Sequence, residues 1–235
     1  MQELIKFIES RESARGLFDP KQAIPTEDME KILEAARWAP TAHNMQNFEI
    51  VVVDDKQLLA AISVIKTSPN LTFIKENYPQ LSFTEDELRR RKTGIMGTMF
   101  PKSWQTPDPN LEDIKNEDRS AYMAKQIVSS SAILFILYDP SRRAPASEGD
   151  FLGIISLGCA MENMWLMANS LGIGVHVVSS LSGEKVATEI AKLLNIPDKF
   201  VIAFSMRLGY PVMPVHYLRV RRDRDDFAHH NGFKK

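Results

Sequence analysis

Residues 151–171 read as one long helix that is apolar around most of its circumference, from Phe151-Leu-Gly-Ile-Ile to Ala168-Asn-Ser-Leu. Such a helix needs cover on most sides and belongs at the centre of a fold rather than on its surface. Gly172 and Gly174 give it a natural stop. The remaining chain has to be arranged around this element. Its 235 residues fit one large domain or two small ones, and a 44% hydrophobic content supports a sizeable core.

Other elements follow from spacing. Leu4, Ile5 and Ile8 share one face of a helix over 2–9. A stronger helix covers 26–38, with Pro25 and Thr26 at its start and Glu27 and Asp28 in its first turn. Met29, Ile32, Leu33 and Ala36 follow at helical spacing, and Pro40 ends the run. Phe48–Val53 is rich in β-branched residues and predicts a strand, and 55–65 a helix. Ala132–Tyr138 is continuously apolar, as a strand buried on both faces should be. A short strand over Val175–Val178, a helix over 183–194 and an alternating strand over Val201–Leu208 complete the pattern. Strands and helices interleave without a strict βαβ repeat, and no linker or internal repeat interrupts them. A single domain over 1–235 is the expectation.

Residues 66–120 differ from the rest. They hold the basic run Arg89-Arg90-Arg91-Lys92, then Met96, Met99, Phe100 and Trp104 among Pro101, Pro107 and Pro109. This reads as an excursion that packs over something, where function often sits. A plain surface insertion accounts for it equally well.

Several functions are excluded or disfavoured. A net charge of -1 gives no overall field for nucleic acid. Cys159, the one cysteine, permits neither an intrachain disulfide nor a cysteine metal site, and fits a reducing compartment. The five histidines show no metal spacing, and there is no HExxH or CxxC. Gly172-Ile-Gly174 lacks the third glycine of a dinucleotide loop, and no GxSxG elbow appears. Met1–Lys6 lacks a signal peptide's apolar region, and no run approaches the roughly 20 apolar residues of a membrane span. A soluble cytoplasmic protein is expected.

Three fragments carry candidate chemistry. Arg11-Glu-Ser-Ala-Arg15 and Arg219-Val-Arg-Arg222 offer guanidinium forks that suit phosphate, with residues 11, 13 and 15 on one side of an extended stretch. Solvated surface arginines are the bland alternative. Ala39–Phe48 holds a hydroxyl and several side-chain amides, which suit a heterocycle with donor and acceptor edges. Leu157–Ser182 runs from the central helix through Val175–Val178 to Ser179 and Ser180, where backbone N–H groups can face a planar ligand.

Taken in order, these fragments resemble the nitroreductase family of flavin-dependent oxidoreductases. Arg11-x-Ser-x-Arg15 is similar to the family's N-terminal FMN-phosphate motif, and Ala39-Pro-Thr-Ala-His-Asn-Met-Gln-Asn-Phe48 to its Ala-Pro-Ser-x-x-Asn-x-Gln-Pro-Trp segment. Glu162-Asn-Met164 through Gly174, Arg207-Leu-Gly-Tyr-Pro211 and Arg221-Arg222 resemble its central helix, closing strand and tail. Only 66–120, where the family varies most, falls outside the likeness. Departures are Ser179 where many members have Gly, and Asn47-Phe48 where Pro-Trp is common.

The resemblance implies an α+β fold, with a central antiparallel-dominated mixed sheet flanked by helices. It also implies a homodimer with two FMN sites at the subunit interface. Arg11, Ser13 and Arg15 would hold the phosphate with Arg221 and Arg219, and Glu12 would lie beside the flavin through its backbone. Pro40, Thr41, Ala42 and Asn44 would reach the cofactor from the other subunit, with Gln46 near the ring system and Val178 and Ser179 at the N5 edge. Lys125 or Gln126 matches a family position on the helix before the middle strand. The implied activity moves electrons from NADH or NADPH through the flavin to a nitroaromatic, a quinone or a similar flat acceptor, in a ping-pong cycle. The flavin does the chemistry, so no catalytic side chain and no metal is required. Met96, Met99, Phe100 and Trp104 would line the acceptor pocket. A specialised flavin enzyme of the same fold (a dehydrogenase, dehalogenase or flavin-fragmenting enzyme), a non-catalytic flavin-binding module and a structural dimer remain as alternatives.

Overall fold

The computed structural model describes residues 2–67, 72, 83–94, 120–145, 149–213 and 218–233. The chain divides into two compact units, Met1–Thr67 with Ser120–Val215, and Ser68–Arg119 with His216–Lys235.

The first unit is built on β1 (Phe48–Val53), β2 (Ala132–Tyr138), β3 (Gly174–Val178) and β4 (Val201–Gly209), in the order β1-β2-β4-β3. Every neighbouring pair is antiparallel. Its helices are α1 (Gln2–Ser10), α2 (Thr26–Arg37), α3 (Lys56–Ser63), α5 (Ser120–Ser129), α6 (Phe151–Ser170) and α7 (Glu184–Leu193), while α4 (Glu85–Arg91) belongs to the second unit.

The apolar run of β2 has a direct cause. Successive side chains of a strand face opposite sides, and here both sides are covered. Ile133, Phe135 and Leu137 enter one core with Leu59 and Ile62 of α3, Ile127 of α5 and Ile190 of α7. Leu134 and Ile136 enter the other with Ile32 and Ala36 of α2 and Leu157, Met164 and Ala168 of α6. The result is an α+β layered fold, as expected from the sequence. Among the described residues, the parallel component expected of the sheet is an isolated bridge between Ser13 and Val175.

Boundaries shift slightly for local reasons. Asp55 caps α3, its carboxylate accepting from the backbone N–H groups of Gln57 and Leu58, so it precedes the helix rather than opening it. α6 departs from expectation in two ways. By length and composition it is apolar enough to cross a membrane, contrary to the sequence reading. It is also covered on one side only: Ala160, Met164 and Ala168 are fully buried, whereas Phe151, Ile154 and Ile155 are 68%, 57% and 47% exposed. α1 likewise turns Leu4, Ile5 and Ile8 outward.

In the second unit, α4 carries the basic run. Thr84 and Glu87 form a capping box at its start. Arg89 and Arg90 lie near Glu85 and Glu87, Arg91 stacks 4.4 Å from the Phe83 ring centre, and Lys92 pairs with Asp223. The acids occupy the first turn and the arginines the last, which complements the helix dipole. The charges of this run are thus accounted for by their own helix and its neighbours.

Candidate functional site

Residues 11–18 form a strap along the free edge of β3. The Ala14 N–H donates to the Val175 carbonyl at 2.8 Å, and Phe18 bridges to Pro211. The strap thereby covers a strand edge that would otherwise expose its hydrogen-bonding groups. It can close this tightly because Gly174 and Gly209, paired across β3 and β4, carry no side chains. A Cβ on Gly174 would lie 2.9 Å from the Ala14 Cβ, and one on Gly209 would lie 2.7 Å from the Phe18 Cβ.

The strap is not the straight extended stretch that would align residues 11, 13 and 15. The Arg15 N–H turns back to the Ser13 carbonyl at 3.0 Å, a tight local turn. Its first half is anchored to α6. Arg11 donates from Nε to Glu162 Oε1 at 3.2 Å and lies 4.4 Å over the Trp165 ring. Trp165 Nε1 donates to the Glu12 carbonyl at 3.4 Å.

The second half is anchored to α5. The Gln126 side-chain amide donates to the Arg15 carbonyl, and the Phe18 N–H donates to Ser129 Oγ at 3.3 Å. Of the two alternatives on this helix, Gln126 is buried and reaches the strap, whereas Lys125 is exposed.

Beneath the strap lies Arg207 of β4, with no solvent exposure. It donates from Nε to Ser130 Oγ at 3.0 Å, and from Nη2 to the Gln126 carbonyl at 2.6 Å and to Ser129 Oγ at 3.4 Å. Its Nη1 donates to His176 Nδ1 at 3.2 Å, which places the His176 proton on Nε2. Its guanidinium carbon sits 4.9 Å from the Phe18 ring centre. The carbonyl it meets lies in the last turn of α5, where the helix dipole favours a cation. Burial pulls the Arg207 pKa down to about 10, so it stays charged at neutral pH. Burial first, then the charges of Arg207 and Arg15, push the His176 pKa down to about 3. His176 is therefore neutral and lies in a positive field.

Val178 and Ser179 lie further along the same strand. Val178 ends β3, buried, and its carbonyl accepts from Ser205 Oγ at 2.9 Å. Ser179 is exposed and opens a short 3-10 turn, Ser179–Ser182. Four residues separate Val175 from Ser179, about 13 Å of strand.

The turn at Pro40–Gln46 forms a second group, seated on the N-terminal half of α6. The Ala42 N–H donates to Ser156 Oγ at 3.0 Å, and Thr41 Oγ1 accepts from the Gln46 N–H at 3.2 Å. The Gln46 side-chain amide reaches Asn44 Oδ1 at 3.2 Å. His43, Asn44 and Gln46 have φ of 51°, 52° and 45°, a left-handed cluster that costs free energy for non-glycine residues. Strain of this kind concentrates at ligand clamps.

The structure thus gathers Arg11, Glu12, Ser13, Arg15, Val178 and Ser179 along one strand edge. Pro40, Thr41, Ala42, Asn44 and Gln46 lie in a separate turn, held at Ala42 by Ser156 of α6, six residues before the Glu162 that holds Arg11. Arg219 and Arg221 belong to the second unit, where both are exposed and Arg221 Nη1 donates to the Val220 carbonyl at 2.8 Å. Met96, Met99, Phe100 and Trp104 lie outside the described residues. Sequence reading missed the burial of Arg207, its contact with His176, and the grip of Glu162 and Trp165 on the strap.

The strap's chemistry fits a phosphate: it brings two guanidinium groups and a hydroxyl within five residues to the β3 edge, near a histidine that burial first, and then the charges of Arg207 and Arg15, keep neutral.

Comparison with known proteins bears on the family and the fold. Residues 8–210 match the model of the Nitroreductase family. A protein of Archaeoglobus fulgidus, named for NADH dehydrogenase and NAD(P)H nitroreductase activity, is 26% identical over 211 residues, spanning 90% of this chain and 87% of its own. A chloronitrobenzene nitroreductase of Comamonas testosteroni is 22% identical, with 86% and 84% covered. Among solved structures, a nitroreductase of Bacteroides fragilis with bound FMN superposes with a TM-score of 0.58 at 18% identity, covering 95% of this chain and 97% of that one.

Proposed function

The chain belongs to the nitroreductase family, and from that premise we propose that it is a cytoplasmic, homodimeric, FMN-dependent oxidoreductase. It takes electrons from NADH or NADPH and delivers them to a nitroaromatic, a quinone or a similar flat acceptor in two alternating half-reactions. The observation that carries this reading is the strap, which brings Arg11, Ser13 and Arg15 to the edge of β3 with the buried Arg207 guanidinium beneath it.

A bound flavin would supply the redox chemistry. The protein binds and orients it. Arg11 and Arg15 grip the phosphate as charged forks, with Ser13 as a hydroxyl donor. Glu12 lies beside the cofactor through its backbone, which Trp165 holds in place. Val178 and Ser179 present backbone to the ring's reactive edge.

Pro40, Thr41, Ala42, Asn44 and Gln46 serve the site of the other subunit. The exposed apolar stripe of Phe151, Ile154 and Ile155 on α6, the helix whose Ser156 holds the Ala42 N–H, supports this reading. All of 1–235 serves as one catalytic domain.

The test is the visible spectrum of the purified protein, followed by anaerobic addition of NADH and NADPH. Flavin bands that bleach establish a flavin reductase and its preferred donor. Bands that persist would mean a binding module or another reductant. Absence of bands after adding back FMN would refute the cofactor assignment.

A further inference from the structure

We infer that Arg207 is a positioning residue for the cofactor phosphate: from inside the fold, it fixes the strap that carries Arg11, Ser13 and Arg15. The inference rests on the FMN reading above.

A fully buried arginine is an expensive way to fill space. An apolar side chain of similar volume would pack the same site without the cost of stripping water from a charge. What arginine adds is a planar fork of five donors and a permanent charge. The structure uses both.

The fork organises the strap's two anchors. One Nη2 reaches the Gln126 carbonyl at 2.6 Å, and the Gln126 side chain in turn donates to the Arg15 carbonyl. The same nitrogen reaches Ser129 Oγ, which receives the Phe18 N–H. Through Nη1 the fork also holds His176, which neighbours Val175, the residue bridged to Ser13. Each end of the segment from Arg15 to Phe18 is thus tied to a group that Arg207 orients.

The charge adds to the strap's field. The hydrogen-bond partners of Arg207 among the described residues are hydroxyls, a carbonyl and a neutral ring, none of which cancels it. A buried charge is screened far less than a surface one, so it acts on an anion at the strap.

A structural role alone would affect flavins with and without a phosphate alike. The experiment is equilibrium binding of FMN and of riboflavin to the flavin-stripped full chain, read by flavin fluorescence. Arg207→Lys keeps the charge and removes the fork. It should weaken FMN binding about tenfold and leave riboflavin binding unchanged.

Should Arg207→Lys fail to fold, Gln126→Met provides the second reading. It removes the amide that holds Arg15 and keeps the backbone carbonyl that Arg207 uses. It should produce the same selective loss. An FMN-to-riboflavin affinity ratio equal to that of the wild type, in a folded variant, overturns the inference. Wild-type protein that binds neither flavin overturns the FMN reading itself, and the inference with it.

Discussion

Gly174 and Gly209 face each other across β3 and β4, and Phe18 occupies the space a Gly209 side chain would take and, with Pro211 and Ala14, that of Gly174. Phe18 is 1% exposed and also stacks against the Arg207 guanidinium, so it has little room to retreat. Gly209→Ala should destabilise the protein by about 1–3 kcal/mol, as overpacked cores do. Denaturant unfolding checks this: an unchanged midpoint would mean that the strap can lift without cost.

His176 gives a pH dependence whose sign is fixed. Its folded pKa, about 3, lies below the unfolded value of 6.5 because burial, Arg207 and Arg15 disfavour its charged form. Between those values the unfolded chain holds a proton that the folded chain does not. His176 therefore contributes its full stability above about pH 6.5, and that stability drains away on acidification toward pH 3. The slope from this group is about 1.4 kcal/mol per pH unit. His176→Asn keeps an acceptor for Arg207 without titrating. Its stability should fall less steeply than that of the wild type between pH 6 and 4.

Arg11→Ala combined with Arg15→Ala should abolish tight flavin binding. Charged hydrogen bonds of this type are worth about 1.5–3 kcal/mol each. The loss should be carried by FMN rather than riboflavin. Undiminished FMN affinity in a folded double variant would dismiss the strap as the phosphate site.

The strained turn makes a prediction about stability. His43 sits at φ 51°, where a β-branched side chain fits poorly. His43→Val should cost about 1–2 kcal/mol, whereas His43→Asn should be nearly neutral. Equal thermal stability of the two variants would mean that the turn adopts another conformation in solution.

The elements that were legible in the sequence are those fixed by local pattern. β1, β2 and α2 follow from β-branched runs, a doubly covered apolar run and helical spacing, and these are local properties. Arg207 was not legible. It stands between Met206 and Leu208 in an alternating strand, where a charge ordinarily points to water. Only the end of α5, some 80 residues earlier, supplies the carbonyl and hydroxyls that allow it to be buried. The same holds for Arg11, whose partner Glu162 lies 151 residues away. Gln126 was legible only as one of two neighbours, because the sequence does not show which of them faces the strap.

The outer stripe of α6 tests the assembly. Phe151, Ile154 and Ile155 stand exposed at helical spacing, and Gly158 continues the line with open space where a Cβ would be. A second helix can approach closely along such a stripe, and a contiguous exposed apolar surface marks an interaction site. With a chain mass of 26.6 kDa, the wild type should sediment as a dimer of about twice that mass. Ile155→Glu places a charge in the middle of the stripe and should give a folded monomer, because the side chain touches solvent in the isolated chain. If the Pro40–Gln46 turn serves the neighbouring subunit, that monomer should also lose flavin, although its own strap is untouched. A monomeric Ile155→Glu protein that kept full FMN affinity would show that each chain builds its site alone.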